Sequence, residues 1–180
     1  ANDRFVVFWS SASNLVSNDT NGVDDVFVHD RLTGLTSRVS LASDGIQGNG
    51  NSWGNWRCMS ADGRFVAFRS WASNLVPDDT NGCADVFVHD RQTGITSRVS
   101  VASDGTQGNG HSLYPSISAD GRFVVFSSWA TNLVPDDTNG CVDFFVHDRE
   151  TRATTRVSVA CDGTEGNGEA KRGAISADGR

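Results

Sequence analysis

The residues with the clearest chemical potential lie in an acidic loop that occurs three times in the chain. Its second copy reads D-T-N-G-C-A-D from Asp79 to Asp85. Oxygen-bearing side chains stand at Asp79, Asn81 and Asp85, Cys83 can offer a backbone carbonyl, and Gly82 permits a sharp bend. Calcium prefers such oxygens, so the spacing predicts a calcium site in each copy. The predicted metal ligands are Asp19, Asn21, Asp25, Asp79, Asn81, Asp85, Asp137, Asn139 and Asp143.

The same residues also suit a tight turn, and this alternative stays open on the sequence alone. Asp and Asn side chains bond to nearby backbone groups and tolerate a left-handed conformation. The loop lacks the bidentate glutamate that closes an EF-hand site. Because the loop recurs in every repeat, we expect it to have a structural role, with or without a metal.

A histidine followed by an aspartate also occurs three times, in the segment V-H-D-R at His29, His89 and His147. Such a pair can act as a general base, but no serine or cysteine nucleophile motif accompanies it. Its repetition indicates a structural pair at the end of a buried strand. We therefore predict no catalytic residue and no enzyme activity.

Tryptophans are the remaining candidates for contact with a ligand. Trp71 and Trp129 occupy equivalent places in S-W-A-S-N-L and S-W-A-T-N-L, where the first repeat has Ser11. Trp53 and Trp56 lie in the one connector that differs from its copies. These rings can pack between structural units, or they can serve as exposed platforms for sugar rings. The sequence leaves both interpretations open.

The overall charge limits the possible partners. The chain of 180 residues carries 22 acidic and 15 basic side chains, a net charge of −7. This field repels phosphate backbones, so we do not expect a nucleic acid partner. No apolar run is long enough to cross a bilayer as a helix.

Self-comparison reveals the repeats that must position these residues. S-A-D-G-R-F-V-A-F at Ser60 matches S-A-D-G-R-F-V-V-F at Ser118, and S-A-D-G-R recurs at Ser176. The periods are 60, 58 and 58 residues, which is typical of propeller blades or solenoid coils. We predict a single repeat domain over 1–180. Its repeats are 1–60, 61–118 and 119–176, and 177–180 starts a further repeat.

Each repeat contains four predicted strands and no helix signal. The second and third strands are continuous apolar runs, which indicates burial on both faces, and the fourth alternates in polarity. Asp-Gly and Thr-Gly supply tight turns. This pattern predicts an all-β fold, a β-propeller built from four-stranded blades. In order within a repeat, the predicted strands are Cys58–Ser60 (with Ser116–Ser118 and Ala174–Ser176), Phe65–Phe68 (with copies at Phe5 and Phe123), Asp85–Asp90, and Thr96–Val101.

The block S-A-D-G-R-F-V-A-F, followed by D-V-F-V-H-D and T-S-R-V-S-V, resembles the TolB-type, WD-like β-propeller repeat over essentially the whole chain. That family's repeat runs P-x-W-S-P-D-G-K-x-I-A-F, then I-Y-V-x-D, then R-x-L-T. Ala61 and Ala119 replace the family's proline, and the acidic loop lengthens the repeat. The resemblance implies a propeller, usually of six blades, and says little about function.

Three blades are too few for a closed propeller, where about four to eight are usual. The first repeat lacks an innermost strand, and residues 173–176 supply an unpaired one. We therefore expect a longer propeller, or a head-to-tail homodimer with six blades.

The four cysteines show neither a C-x-x-C pair nor zinc-finger spacing to a histidine. Their even number in a loop-rich chain favours disulfides and an oxidising compartment over free buried thiols. The strand order places Cys58 and Cys83 at one end of a blade and Cys141 beside Cys161. We therefore predict the bonds Cys58–Cys83 and Cys141–Cys161.

These features predict a non-enzymatic binding or scaffold propeller with calcium-stabilised loops. Its expected location is extracellular or periplasmic, and its expected partner is a protein or a glycan. The alternative is a lectin-like protein with repeated carbohydrate sites. A further alternative is the accessory propeller of a hydrolase.

Overall fold

The computed structural model describes residues 4–170 and 172–179. This part of the chain contains eleven β-strands and no helix, hence none able to span a membrane. The strands are β1 Phe5–Ser10, β2 Asp25–Asp30, β3 Leu35–Arg38, β4 Ser52–Met59, β5 Phe65–Ser70, β6 Asp85–Asp90, β7 Ile95–Arg98, β8 Ser112–Ile117, β9 Phe123–Ser128, β10 Asp143–Asp148 and β11 Thr154–Arg156.

The strands form three antiparallel sheets, which we call blades 1, 2 and 3. Blade 1 has the order β1-β2-β3, blade 2 has β4-β5-β6-β7, and blade 3 has β8-β9-β10-β11. Consecutive strands are therefore neighbours in every blade. The predicted all-β, propeller-type fold is confirmed, and the described residues form part of a propeller.

The blades pack on each other through the middle strands. Val66 and Phe68 of β5 belong to a buried cluster with Val28 of blade 1. Ala67, which lies between them in sequence, belongs to a second cluster with Val124 of blade 3. Successive side chains of a strand point to opposite faces, so a blade with a neighbour on each side needs an apolar residue at every position. This requirement explains the continuous apolar runs.

The third strand of each repeat was predicted accurately, but the innermost strands are longer than predicted. Asp85–Asp90 is β6. The innermost strands extend over Ser52–Met59 and Ser112–Ile117, because the preceding connector also joins the ladder, with Ser52 paired to Ser70. The fourth strand ends at Arg98 rather than Val101, since Val101 forms an isolated bridge with Gln107.

The third innermost strand, predicted at Ala174–Ser176, does not form a strand. An innermost strand pairs with the second strand of its own blade, and among residues 4–170 and 172–179 no second strand pairs with this segment. The segment nevertheless keeps its place in the repeat. Ala119 donates its backbone N–H to Ala177 O at 2.9 Å, as Ala61 does to Ala119 O at 2.8 Å.

The predicted Cys58–Cys83 bond is wrong, because the two residues lie at opposite ends of blade 2. Cys58 is next to Met59, which pairs with Val66 near one end of β5. Cys83 lies two residues before Asp85, which pairs with Ser70 at the other end of β5. Four residues of β5 separate these ends, roughly 13 Å along the strand. A disulfide needs Cα atoms within about 7 Å, and both thiols are free.

The predicted Cys141–Cys161 bond is also absent. Cys161 is exposed near the tip of a hairpin, where Ala160 donates to Thr164 O. Cys141 lies near the base of that hairpin, since its N–H donates to Asn139 and Asn139 donates to Gly166 O. The hairpin holds the two thiols apart.

Candidate binding sites

The acidic loop of blade 2 closes around an arginine from the same blade. Arg98, at the end of β7, places Nη1 3.1 Å from Asp79 Oδ1 and 3.3 Å from Asp85 Oδ2. Asn81 donates from Nδ2 to Asp85 Oδ2 at 2.9 Å, and its Oδ1 accepts the N–H of Cys83 at 2.8 Å. The carboxylates therefore face a guanidinium, and the amide closes a turn on its own backbone.

Blades 1 and 3 repeat this arrangement. Asn21 and Asn139 each donate to the aspartate four residues later, as Asn81 does. Blade 3 adds Glu165, where the other blades have glutamine, at 2.9 Å from the guanidinium. The equivalent ion pairs are Arg38–Asp19 (3.0 Å), Arg38–Asp25 (2.8 Å), Arg156–Asp137 (3.2 Å) and Arg156–Asp143 (3.4 Å).

Calcium at these loops stays a prediction. Within residues 4–170 and 172–179, no three His, Cys, Asp or Glu side chains are grouped as metal ligands. One guanidinium faces two carboxylates, however, so each loop keeps an excess of negative charge. Burial, followed by the neighbouring aspartate, raises the pKa of Asp79 and of Asp137 above the usual value. The turn contacts are present, and the remaining charge leaves the calcium hypothesis open.

The repeated histidine belongs to a hydrogen-bond chain between blades. His89 Nδ1 lies 2.9 Å from Thr96 Oγ1, which donates to Leu41 O of blade 1 at 2.5 Å. Ser43 of blade 1 accepts the Thr96 N–H at 3.0 Å. His147 makes the same contact one blade later, at 2.9 Å. Burial lowers the pKa of His89, which favours its neutral form. These contacts agree with the structural role predicted for the histidines.

Trp71 and Trp129 lie on either side of His111. The ring centroids of Trp71 and His111 are 4.7 Å apart, and those of His111 and Trp129 are 6.5 Å apart. Both indoles are 47% exposed. They therefore combine packing at the blade junction with an open ring face.

Trp53 and Trp56 lie at a different place, a cleft of about 760 Å³ beside the inner strands β4 and β8. None of the acidic residues in the described part of the chain lines this cleft. The side chains that line it are aromatic or cationic for the most part, namely Trp9, Trp53, Trp56, Tyr114, Arg57, Arg69 and Arg172. We call it the inner cleft.

Arginine–aromatic contacts organise the inner cleft. The Arg69 guanidinium lies 4.7 Å from the ring centroid of Trp53 and 5.7 Å from that of Tyr114. The Arg172 guanidinium lies 5.4 Å from Tyr114. Trp53 is fixed by its Nε1–H, which donates to Asp24 Oδ2 at 2.9 Å. Cation–π contacts of this kind hold an arginine in place while its N–H edge stays available.

Two irregularities of the inner strands shape the inner cleft. β4 has a register shift between Gly54 and Met59, and β8 has one between Leu113 and Ser116. Within them, Arg57 and Tyr114 adopt left-handed backbone conformations, with φ of 60° and 53°. Such a conformation costs about 1–2 kcal/mol for a residue with a Cβ. Strained residues in bulges are frequent at binding sites.

The sequence prediction included Trp53 and Trp56 but missed the arginines. A usable signal was present, because the inner cleft is lined where the repeats differ. Arg69 stands where the other repeats have Trp9 and Ser127. Residues that break a repeat serve no shared packing role, so their convergence in one cleft indicates a specific purpose.

Blades of three or four antiparallel strands, stacked through apolar middle strands, define the described residues as part of a β-propeller. No protein-family model matches the sequence, and no curated protein matches it significantly. Solved structures supply the comparison.

The putative TolB from Agrobacterium tumefaciens is similar, with a TM-score of 0.54 and 16% identity over 98% of this chain and 52% of that one. TolB from Acinetobacter baumannii has a TM-score of 0.50 and 21% identity over 91% of this chain and 32% of that one. The β-propeller domain of the Trilobed protease from Pyrococcus furiosus has a TM-score of 0.52 and 14% identity, over 84% and 38%. This chain thus spans about half or less of each protein. At these identities the likeness concerns the fold alone.

Proposed function

We propose that the chain is a non-enzymatic binding and scaffold propeller whose partner is a second copy of itself, giving a ring of six blades. The observation that carries this proposal is the pair of open flanks. Val6 of blade 1 is 45% exposed, whereas its copies Val66 and Val124 are buried between blades. Val157 of blade 3 is 48% exposed, whereas its copy Val99 is buried. Each flank lacks the neighbour that its copies have.

The two open flanks are complementary to each other. The exposed flank of blade 3 carries the same repeat positions with which blade 2 contacts blade 3. The exposed flank of blade 1 carries the positions with which blade 3 contacts blade 2. Joining blade 3 of one copy to blade 1 of another therefore repeats a contact that the chain already forms twice. Two copies related by a two-fold axis cover all four flanks. Exposed apolar faces of this kind are rare on soluble monomers.

Strand pairing specifies the register of this junction. In blade 3, Ser116 pairs with Val125 and Ile117 pairs with Val124. The equivalent positions of the repeat are Ala174 with Val7 and Ile175 with Val6. In the proposed dimer these residues pair across the junction, and the valines belong to the partner copy. β1 is at the edge of its sheet, so its free side can accept residues 173–176.

Cysteine cross-linking tests this register. We expect the double variant Ala174→Cys with Val7→Cys to form a covalent dimer under mild oxidation. The control is Ala174→Cys with Val6→Cys, because Val6 points to the opposite face of β1. Equal cross-linking in both variants, or none in either, would overturn the proposed junction. The unmodified chain, with its four native thiols, gives the background.

Two further observations support the absence of catalysis. The histidines are engaged between blades, as described above. Burial raises the pKa of the Cys58 thiol to about 11, so it is not a nucleophile at neutral pH. The extracellular or periplasmic location was expected partly from disulfides. Because the four thiols are free, it stays a prediction without that support.

A lectin-like protein with repeated sugar sites is the second candidate, favoured by the open indole faces beside His111. Sugar rings stack on such faces. We expect a glycan-array signal that disappears in Trp71→Ala and in Trp129→Ala but persists in Leu32→Ala, an exposed residue in the β2–β3 turn. Binding that persists in both tryptophan variants would remove this candidate.

A further inference from the structure

The inner cleft concentrates positive charge in an acidic protein. The chain carries a net charge of −7, yet three arginines and no carboxylate line this cleft. Across residues 4–170 and 172–179, none of Arg57, Arg69 and Arg172 has an ion-pair partner. The arginines of the acidic loops, in contrast, are paired and buried. Three unpaired guanidiniums in one place form a site for anions, and their forked N–H groups match carboxylates.

The aromatic side chains restrict the class of anion. Trp56 is 90% exposed, and an indole of that size at a cleft edge offers a flat apolar face. Trp9, on β1, presents a second exposed indole to the same cleft. Trp53 is anchored by Asp24 and covered by Arg69. A ligand that fits must therefore present flat C–H faces to the indoles and carboxylates to the arginines.

We propose that the inner cleft binds a carboxylated oligosaccharide, a chain of uronic-acid sugars. Pyranose rings supply the faces that stack on indoles, and each uronate supplies one carboxylate for a guanidinium. The volume of about 760 Å³ lies within the range of about 300–1,000 Å³ usual for small-ligand sites. A long phosphate polymer would experience the field of the whole acidic protein, whereas a short oligosaccharide experiences mainly the local arginines.

An acidic peptide is the competing ligand. Its carboxylates would suit the arginines, but aspartate and glutamate side chains leave the exposed face of Trp56 uncovered. A uronic-acid oligosaccharide contacts the indoles with its rings and the arginines with its carboxylates, and for this reason we favour it. Gly173 and Ala174 line the inner cleft and are also among the residues that the proposed assembly pairs with β1 of a second copy, so affinities are compared at a known state of assembly.

Calorimetric titration with α-1,4-linked trigalacturonate tests the inference, and the methyl-esterified trimer is the matched neutral ligand. We expect the acid trimer to bind at least about tenfold more tightly than the ester, since charge-assisted bonds are lost. We expect Arg69→Ser and Arg57→Asn each to weaken the acid trimer by about tenfold or more. Ser is the residue of the third repeat at this position, and Asn tolerates the left-handed backbone of Arg57.

The control variant is Arg152→Gly. It removes the same single charge outside the inner cleft, and Gly is the residue of the other two repeats there. We expect its affinity to stay within about twofold of the original. Measuring the mass of every variant in parallel separates a loss of binding from a change of assembly.

Three results would overturn the inference. One is equal affinity for the acid trimer and its methyl ester, since the arginines would then make no charge-dependent contact with the ligand. The second is tighter binding of a hexapeptide of alternating Asp and Glu that is lost in the same variants. The third is the absence of binding by the original protein to either trimer.

Discussion

The guanidiniums of Arg38, Arg98 and Arg156 each lie between two loop carboxylates. The loop itself was evident from the sequence, because Asp-Thr-Asn-Gly recurs at a fixed period. Its partner was not predicted, since the arginine is 13 residues after the second aspartate of the loop and the contact depends on how the third and fourth strands pair. A residue pattern shows which groups are available. The register of a sheet decides which of them meet.

Replacing Arg98 with methionine tests its role as the internal cation. The substitution leaves Asp79 and Asp85 buried without a counter-charge, so we expect a loss of about 3 kcal/mol or more in the free energy of unfolding. The control is Arg64→Met, which breaks a partly exposed ion pair with Asp90 and is expected to cost clearly less, because solvent screens such a pair. Urea titration measures both. Equal losses would contradict the bracing role.

Chelation tests the calcium hypothesis at the same loops. If the loops bind calcium, excess EDTA lowers the Tm of the original protein by several degrees, because a ligand of the native state adds RT ln(1 + [L]/Kd). Elemental analysis of the dialysed protein provides the independent check. An unchanged Tm together with no bound metal would contradict the calcium hypothesis and leave arginine as the sole cation.

The buried histidines predict a dependence of stability on pH. Burial lowers the pKa of His147 to about 4, against about 6.5 in an unfolded chain. The unfolded chain therefore takes up the proton first as the pH falls, and this contribution to stability is lost between pH 6.5 and 4. Asp79 and Asp137, whose pKa values are raised, act with the opposite sign.

The difference between two proteins isolates the histidine. We expect the Tm of the original to fall more between pH 7 and pH 5 than the Tm of His147→Asn, in which the amide can replace Nδ1 beside Thr154. Differential scanning calorimetry at the two pH values gives the comparison. Parallel falls in Tm would show that His147 does not contribute.

At the scale of elements, the strands that pack on both faces were the predictable ones. The paired strands β5 and β6 have apolar runs that were evident in the sequence, and an Asp-Gly turn before β5 and a Thr-Gly turn after β6 mark their outer ends. The innermost strands were not predictable to their ends, because bulges at Gly54–Met59 and Leu113–Ser116 interrupt their pairing. The cysteine prediction failed for the same reason, since it placed Cys58 at the wrong end of its strand.

At the scale of the whole molecule, one glycine distinguishes an open chain from a ring. A Cβ on Gly110 would lie 2.8 Å from the backbone of Trp129 in the next blade, whereas the equivalent Gly168 has nothing within 4 Å. In the six-bladed ring, Gly168 would meet the backbone at Ser11 of the partner subunit.

We therefore expect two different effects from one substitution. Gly110→Ala should destabilise the fold itself by about 1–3 kcal/mol through overpacking. Gly168→Ala should leave the fold intact and weaken self-association, as seen by sedimentation velocity over a range of concentrations. Association unaffected by Gly168→Ala would contradict the predicted blade junction.

The mass of the unmodified protein in solution tests the central claim most directly. Two copies that close a ring of six blades give about 38 kDa, twice the 19.2 kDa of the chain. Sedimentation equilibrium is expected to find this mass at micromolar concentration. A compact, stable species of 19.2 kDa at every concentration would contradict the account, because it would mean that the two open flanks need no partner.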